Sequence, residues 1–113
     1  MAKKMRALSI RQPYAEQIML GMKKIEYRSF PAYIRERVHI YASHTPGPLK
    51  EWKRIKKQPG DLPTGVLIGT VEITDCTLGD EAYEWHLARP KRSKKMLKPK
   101  EHPQPAWFWP FGK

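Results

Sequence analysis

The sequence predicts an α+β fold, in which a small, mostly antiparallel, barrel-like sheet carries one or two flanking helices. The first observation is a change in apolar period from 3.6 to 2 across Gly21, which marks a helix followed directly by a strand. The second is that several short strand-like segments follow, with little helical pattern elsewhere. The chain has 113 residues, the size of one domain, so we expect residues 1–113 to form a single domain.

The individual elements follow from local patterns. Pro13 suits the first turn of a helix, where its missing N–H costs nothing, and Gly21 suits a left-handed helix end. Gly69 interrupts the most β-branched segment and predicts a bulge there. The predicted elements are a strand over 7–10, a helix over 13–20, strands over 24–28 and 37–42, a short basic helix over 49–57, strands over 66–74 and 82–88, a Lys- and Pro-rich loop over 89–105 and a terminal strand over 107–109.

Net charge is the strongest compositional feature. Lys and Arg number 22 against 11 Asp and Glu, which gives a formal charge of +11 and a pI of about 10.0. A domain this basic suits a polyanionic partner, and nucleic acid is the commonest one, although basic loops are also simply solvated. Two cationic runs, the first with Trp52 beside it for stacking, are predicted to contact phosphates. Their candidate residues are Lys50, Lys53, Arg54, Arg92, Lys94, Lys95 and Lys98.

Several classes of protein lack support in the sequence. Cys76 is the single cysteine, so no internal disulfide forms, and the four histidines lack the spacing of metal ligands. We therefore expect no metal and no cofactor. No segment approaches the roughly 18 apolar residues of a membrane span, and residues 1–6 lead into no apolar stretch of signal-peptide length. We expect a cytoplasmic, reduced protein without a membrane partner, and a monomer.

The segment over residues 21–28 combines a tight turn with closely spaced charges in the pattern G-x-K-x-x-E-x-R. Gly21 lets the chain turn sharply and brings Lys23 to the edge of that turn. Glu26 and Arg28 lie two apart on a strand and therefore share a face. A carboxylate between two cations aligns them, and Arg28 suits bidentate contact with a phosphate or a base edge. A solvated ion pair on an exposed sheet face is the alternative.

This segment and its neighbours resemble the ASCH family of the PUA-like superfamily. The similar segments, in order, are LSIRQPYA over 8–15, the G-x-K-x-x-E-x-R pattern, VHIYAS over 38–43, GVLIGTVEI over 65–73 and YEW over 83–85. The resemblance implies a cleft between the barrel and the first helices that binds RNA, single-stranded RNA above all, or a nucleotide. The implied ligand-binding residues are Lys23, Glu26, Arg28, Ser9, Gln12, Tyr14 and Ser43.

The same resemblance leaves three other functions open. Some short family members are amidohydrolases that deacetylate acetylated cytidine with a Lys, a Thr and a Glu. Lys23 matches that lysine, whereas Glu26 stands at the place of the threonine. A ribonuclease is the second alternative, with Lys23, Glu26 and Tyr14 as candidates for acid–base catalysis without a metal. The third is a protein-interaction module of the kind suggested for transcription coactivators.

Overall fold

A computed structural model describes residues 4–112 and contains six strands and two short helices. The strands and helices follow the predicted order, and the two helices have six residues each. The elements are β1 (Ala7–Arg11), α1 (Tyr14–Met19), β2 (Ile25–Arg28), β3 (Arg37–Ser43), α2 (Leu49–Arg54), β4 (Val66–Leu78), β5 (Tyr83–Leu97) and β6 (Trp107–Phe108).

All six strands form one curled sheet in the order β2-β5-β4-β3-β1-β6. Four of the neighbouring pairs are antiparallel, and β1 with β3 is the parallel exception. The predicted α+β class with a mostly antiparallel, barrel-like sheet is therefore confirmed, in the form of a half-barrel. The parallel pair is possible because α1, β2 and their turns separate β1 from β3 along the chain and so provide the crossover.

The main hydrophobic core contains buried residues of α1, β1, β3, β4 and β5. Trp85 is fully buried there, stacks on the Trp107 ring at 5.6 Å and donates from its indole N–H to the Phe30 carbonyl at 3.0 Å. Because Trp85 belongs to β5 and Trp107 to β6, this stack connects strands that three others separate in the sheet. The terminal strand therefore contributes an aromatic ring that packs against the core.

The turn between α1 and β2 has the predicted conformation. Gly21 adopts φ +78°, in the left-handed region that glycine tolerates best. The Met22 and Lys23 amides donate to the Gln17 carbonyl, which closes the end of α1. This closure fixes the position at which β2 begins, and with it the start of the charged segment.

Two predictions about the elements were wrong. Residues 89–97 belong to β5, not to a loop, because β4 supplies hydrogen-bond partners along that length. The neighbouring strand β2 is short, so this half of β5 lies at an edge of the sheet, where Lys and Arg side chains remain solvated. The second concerns Trp52 on α2, which we expected to stack on a base: it is 2% exposed and is part of the buried core instead.

The bulge predicted at Gly69 is present as a shift in register. Gly69 pairs with Ile40 while Leu67 pairs with Tyr41, so Ile68 has no partner of its own on β3. On the other side, β5 has a larger irregularity between Arg92 and Leu97. Neither helix within residues 4–112 is long and apolar enough to cross a membrane.

Candidate ligand-binding cleft

A cleft of about 1240 Å³ opens beside the edge strand β2. Its walls come from β1, the start of α1, β2 and the residues that follow β3, with α2 and the segment 103–106 at the rim. Polar and charged side chains mix with aromatic rings along these walls. A cleft of this size and composition fits a nucleoside or a short oligonucleotide.

Three charged side chains meet inside the cleft. Glu26 is 9% exposed, and its two carboxylate oxygens interact with different cations. The Lys23 Nζ lies 3.5 Å from Oε1, and the Arg28 Nε donates to Oε2 at 2.8 Å. The shared face of Glu26 and Arg28 on β2 and the turn at Gly21 produce this arrangement, as the sequence predicted.

Arg28 also connects β2, which forms one wall of the cleft, to other strands of the sheet. Its Nη2 donates to the Ser9 carbonyl on β1 at 2.9 Å, so β2 is linked to a strand near the opposite end of the sheet. The guanidinium carbon lies 5.8 Å from the centre of the Trp85 ring, a cation–π contact with the core. These contacts restrict Arg28 to one orientation and thereby orient the Glu26 carboxylate.

Two tyrosine rings flank the ammonium of Lys23. Its Nζ lies 5.1 Å from the centre of the Tyr14 ring and 5.2 Å from that of Tyr27. Burial raises the pKa of the Tyr14 phenol, and the nearby Glu51 carboxylate raises it further. Tyr14 therefore stays protonated at neutral pH and acts as a hydrogen-bond donor or an aromatic surface, not as a base.

The other predicted cleft residues divide into two groups. Ser9 and Ser43 line the cleft, and the Ser9 hydroxyl donates to the Gln104 carbonyl at 2.8 Å. Gln12 does not line it, which corrects our expectation. Gln12 is fully buried, its Nε2 donates to the Pro63 carbonyl, and its Oε1 accepts from the Glu16 amide in the first turn of α1. A buried amide needs such partners, so Gln12 serves the fold.

The cations predicted to contact nucleic acid lie at different distances from the cleft. Arg54 lines it and pairs with Glu51 at 3.4 Å. Arg92 lies outside it, where both Nη atoms donate to the Glu16 carboxylate at 2.9 Å. The remaining candidates are exposed and lie outside the cleft, on α2 and around the end of β5; they are Lys50, Lys53, Lys94, Lys95 and Lys98. A role for them in binding stays a prediction.

Comparison with known proteins agrees with this architecture. The family model of the ASCH domain matches residues 8–107, almost the whole chain. The chain belongs to the ASCH domain family. Human activating signal cointegrator 1 is 34% identical over 80 residues, an alignment that covers 61% of this chain and 14% of the human protein. The chain thus corresponds to a small part of that relative.

The ASCH domain cleft contains residues that the sequence analysis missed. The Gln17 Nε2 donates to the Glu51 Oε1 at 3.1 Å and to its carbonyl at 3.2 Å, which fixes α2 against α1. Arg11 and Lys24 add cations to the lining. Arg11 directly follows the predicted first strand, so its position was accessible to sequence reasoning. No sequence pattern connects Glu51 with Gln17, 34 residues away.

Within residues 4–112 of the ASCH domain, no group of three or more His, Cys, Asp or Glu side chains could hold a metal ion. Cys76 is half-buried, and its Sγ accepts from the Ala32 amide at 3.4 Å.

Proposed function

We propose that this ASCH domain binds single-stranded RNA, or a nucleotide of it, with a base in the cleft. The observation that carries the proposal is the Lys23–Glu26–Arg28 trio, which is partly buried and presents donors and an acceptor side by side. Lys23 has three N–H donors, and Glu26 is the partner that its ammonium contacts among the described residues. The remaining donors are available to a polar ligand.

The surrounding surface supports a polyanionic chain attached to that base. Arg11 and Lys24 lie at the cleft and are exposed, and the domain as a whole has a charge of +11. Phosphates on either side of a bound base would meet these cations, and salt would weaken their attraction. Tyr14 and Tyr27 offer rings on which bases stack irrespective of sequence.

We favour binding over catalysis because the acid–base candidates are constrained. Tyr14 has a raised pKa, so it supplies no base at neutral pH. The Glu26 carboxylate is already engaged by two cations, Lys23 and Arg28, one at each oxygen. Deacetylation, RNA cleavage and the binding of a protein partner remain the competing functions. The name of the human relative, a signal cointegrator, is consistent with the last of them.

Fluorescence anisotropy with a labelled single-stranded RNA of eight nucleotides tests the proposal. At low salt we expect binding that weakens as salt rises and falls about tenfold or more for Lys23→Ala. Lys57→Ala is the matched control, because Lys57 is exposed and lies outside the cleft. Absence of binding at low salt, or equal losses in the two variants, would refute the proposal.

The same samples test the enzymatic alternatives. Acetylated cytidine and the RNA are incubated with the protein without added metal, and deacetylation and cleavage are followed by chromatography. We expect little or no turnover of either compound. Robust turnover that disappears in Lys23→Ala would instead establish an enzyme. Cytoplasmic location and a monomeric state are further parts of the proposal, and size-exclusion chromatography with light scattering tests the second.

A further inference from the structure

We infer that the cleft selects uracil, because the trio presents a donor–acceptor–donor edge to a bound base. This inference rests on the proposed function and specifies its ligand. The order of the groups carries it: Lys23 contacts one oxygen of Glu26, and Arg28 contacts the other. The carboxylate, an acceptor, therefore lies between two donors.

Each of the three groups has hydrogen-bonding capacity left for a ligand. Of the Arg28 nitrogens, Nε donates to Glu26 and Nη2 to the Ser9 carbonyl, whereas Nη1 has no partner within residues 4–112. Each carboxylate oxygen of Glu26 has a second lone pair beyond the one it already uses. The side chains of Lys23, Glu26 and Arg28 are 14%, 12% and 19% exposed, and all three residues line the cleft.

The Watson–Crick edges of the four RNA bases differ in the order of their donors and acceptors. Uracil presents a carbonyl, an N–H and a second carbonyl, which is acceptor–donor–acceptor and complements the trio at all three positions. Cytosine presents an amine followed by two acceptors, and adenine an amine followed by one ring acceptor. Guanine presents one carbonyl followed by two donors. Each of these places at least one unmatched group against the trio, which is costly in a partly buried site.

Electrostatics also favour a neutral base over a phosphate at this position. The negative charge of Glu26 offsets one of the two positive charges of Lys23 and Arg28, so the trio has a formal net charge of about +1. A phosphate placed against it would lie beside the Glu26 carboxylate and repel it, whereas the uncharged uracil ring needs an acceptor there for its N–H. The Tyr27 ring is 56% exposed and lines the same cleft, so it can cover the face of the base. The phosphates on either side of the base would then lie near the exposed cations Arg11 and Lys24.

Affinities for octauridylate, octacytidylate and octaadenylate at one low salt concentration test the inference. The three share a backbone, so their phosphate contacts are equivalent and differences report the bases. We expect octauridylate to bind about tenfold or more tightly than the others. An octamer of 3-methyluridine, which keeps both carbonyls but lacks the N–H, should bind no better than octacytidylate. Octathymidylate, a DNA with the same Watson–Crick edge, distinguishes RNA from DNA as the ligand. Binding equal to that of octauridylate would mean that the site accepts either nucleic acid, and weaker binding would assign it to RNA.

The variant Glu26→Gln tests whether the preference for uracil depends on the trio. The amide offers an N–H as well as an oxygen, so it can donate to the cytosine ring nitrogen, and the uridylate-to-cytidylate ratio should fall at least severalfold. Glu84→Gln is the control, since Glu84 lies on β5 outside the cleft, and it should keep the wild-type ratio. Equal, salt-dependent binding of all octamers would overturn the uracil inference and leave RNA binding intact. Failure of every octamer to bind would overturn both.

Discussion

Arg28 combines a structural contact with a position in the proposed site. Its guanidinium donates to Glu26 on its own strand and to the Ser9 carbonyl on β1, and it lies over Trp85. A planar fork is needed to reach a carboxylate and a carbonyl simultaneously, and an ammonium lacks that geometry. The cleft and the closure of the half-barrel therefore depend on the same side chain.

We expect Arg28→Lys to lower the free energy of unfolding by about 1–2 kcal/mol, because at least one of the two hydrogen bonds is lost. Urea denaturation followed by tryptophan fluorescence measures this loss. Arg54→Lys is the matched control; the Arg54 side chain is 66% exposed and pairs with Glu51, so the loss of unfolding free energy should stay below about 0.5 kcal/mol. Equal stabilities of the two variants would show that Arg28 does not hold the sheet closed.

His39 on β3 should make stability depend on pH. Burial lowers its pKa below the ordinary value of 6.5, and its Nδ1 is buried without a partner among the described residues. Below pH 6.5 the unfolded chain binds a proton at His39 that the folded chain binds less readily, so stability falls as the pH decreases from 7.5 to 5.0. Melting temperatures across this range should fall less steeply for His39→Gln than for the wild type. Parallel curves would contradict the prediction.

At the scale of elements, Gly69 allows β4, β5 and α1 to pack closely. A Cβ at this position would lie 2.5 Å from the Lys91 carbonyl oxygen and 2.5 Å from the Met19 Sδ. Gly69→Ala should therefore cost about 2–3 kcal/mol of unfolding free energy, because a backbone must move. Gly21→Ala is the comparison: its φ of +78° is strained for alanine but nothing crowds it, so about 1 kcal/mol is expected. Denaturant titrations that reverse this order would contradict the packing argument.

The elements also show which features the sequence could predict. Alternating apolar residues predicted β2 and β3. In β3 the apolar residues face the core, whereas in β2 the buried residue is Glu26 and Tyr27 is 56% exposed. The second half of β5 is rich in Lys and Arg and has no apolar face, so its strand depends on pairing with β4. Such pairing is non-local, and local composition favoured a loop. The burial of Gln12 could not be predicted for the same reason, because its hydrogen-bond partner Pro63 lies 51 residues away in the sequence.

At the scale of the whole molecule, the sequence predicted the part of the site whose residues all come from one short segment. Lys23, Glu26 and Arg28 lie within a few residues, so strand parity and one turn determine their arrangement. Glu51 and Gln104 reach the cleft only because the sheet curls and brings distant parts of the chain together. The cations outside the cleft belong to this larger scale as well. Their contribution depends on the route that a bound strand takes across the surface.

The final prediction uses ligand length to separate the cleft from the outer cations. Replacing Lys94, Lys95 and Lys98 by Ala should flatten the dependence of log K on log salt for an RNA octamer, by about 0.7 for each phosphate contact removed. All three side chains are exposed and lie outside the cleft. Uridine monophosphate, which is too short to reach them from the cleft, is the control and should bind the variant and the wild type equally. An unchanged slope for the octamer would show that RNA does not pass over the end of β5.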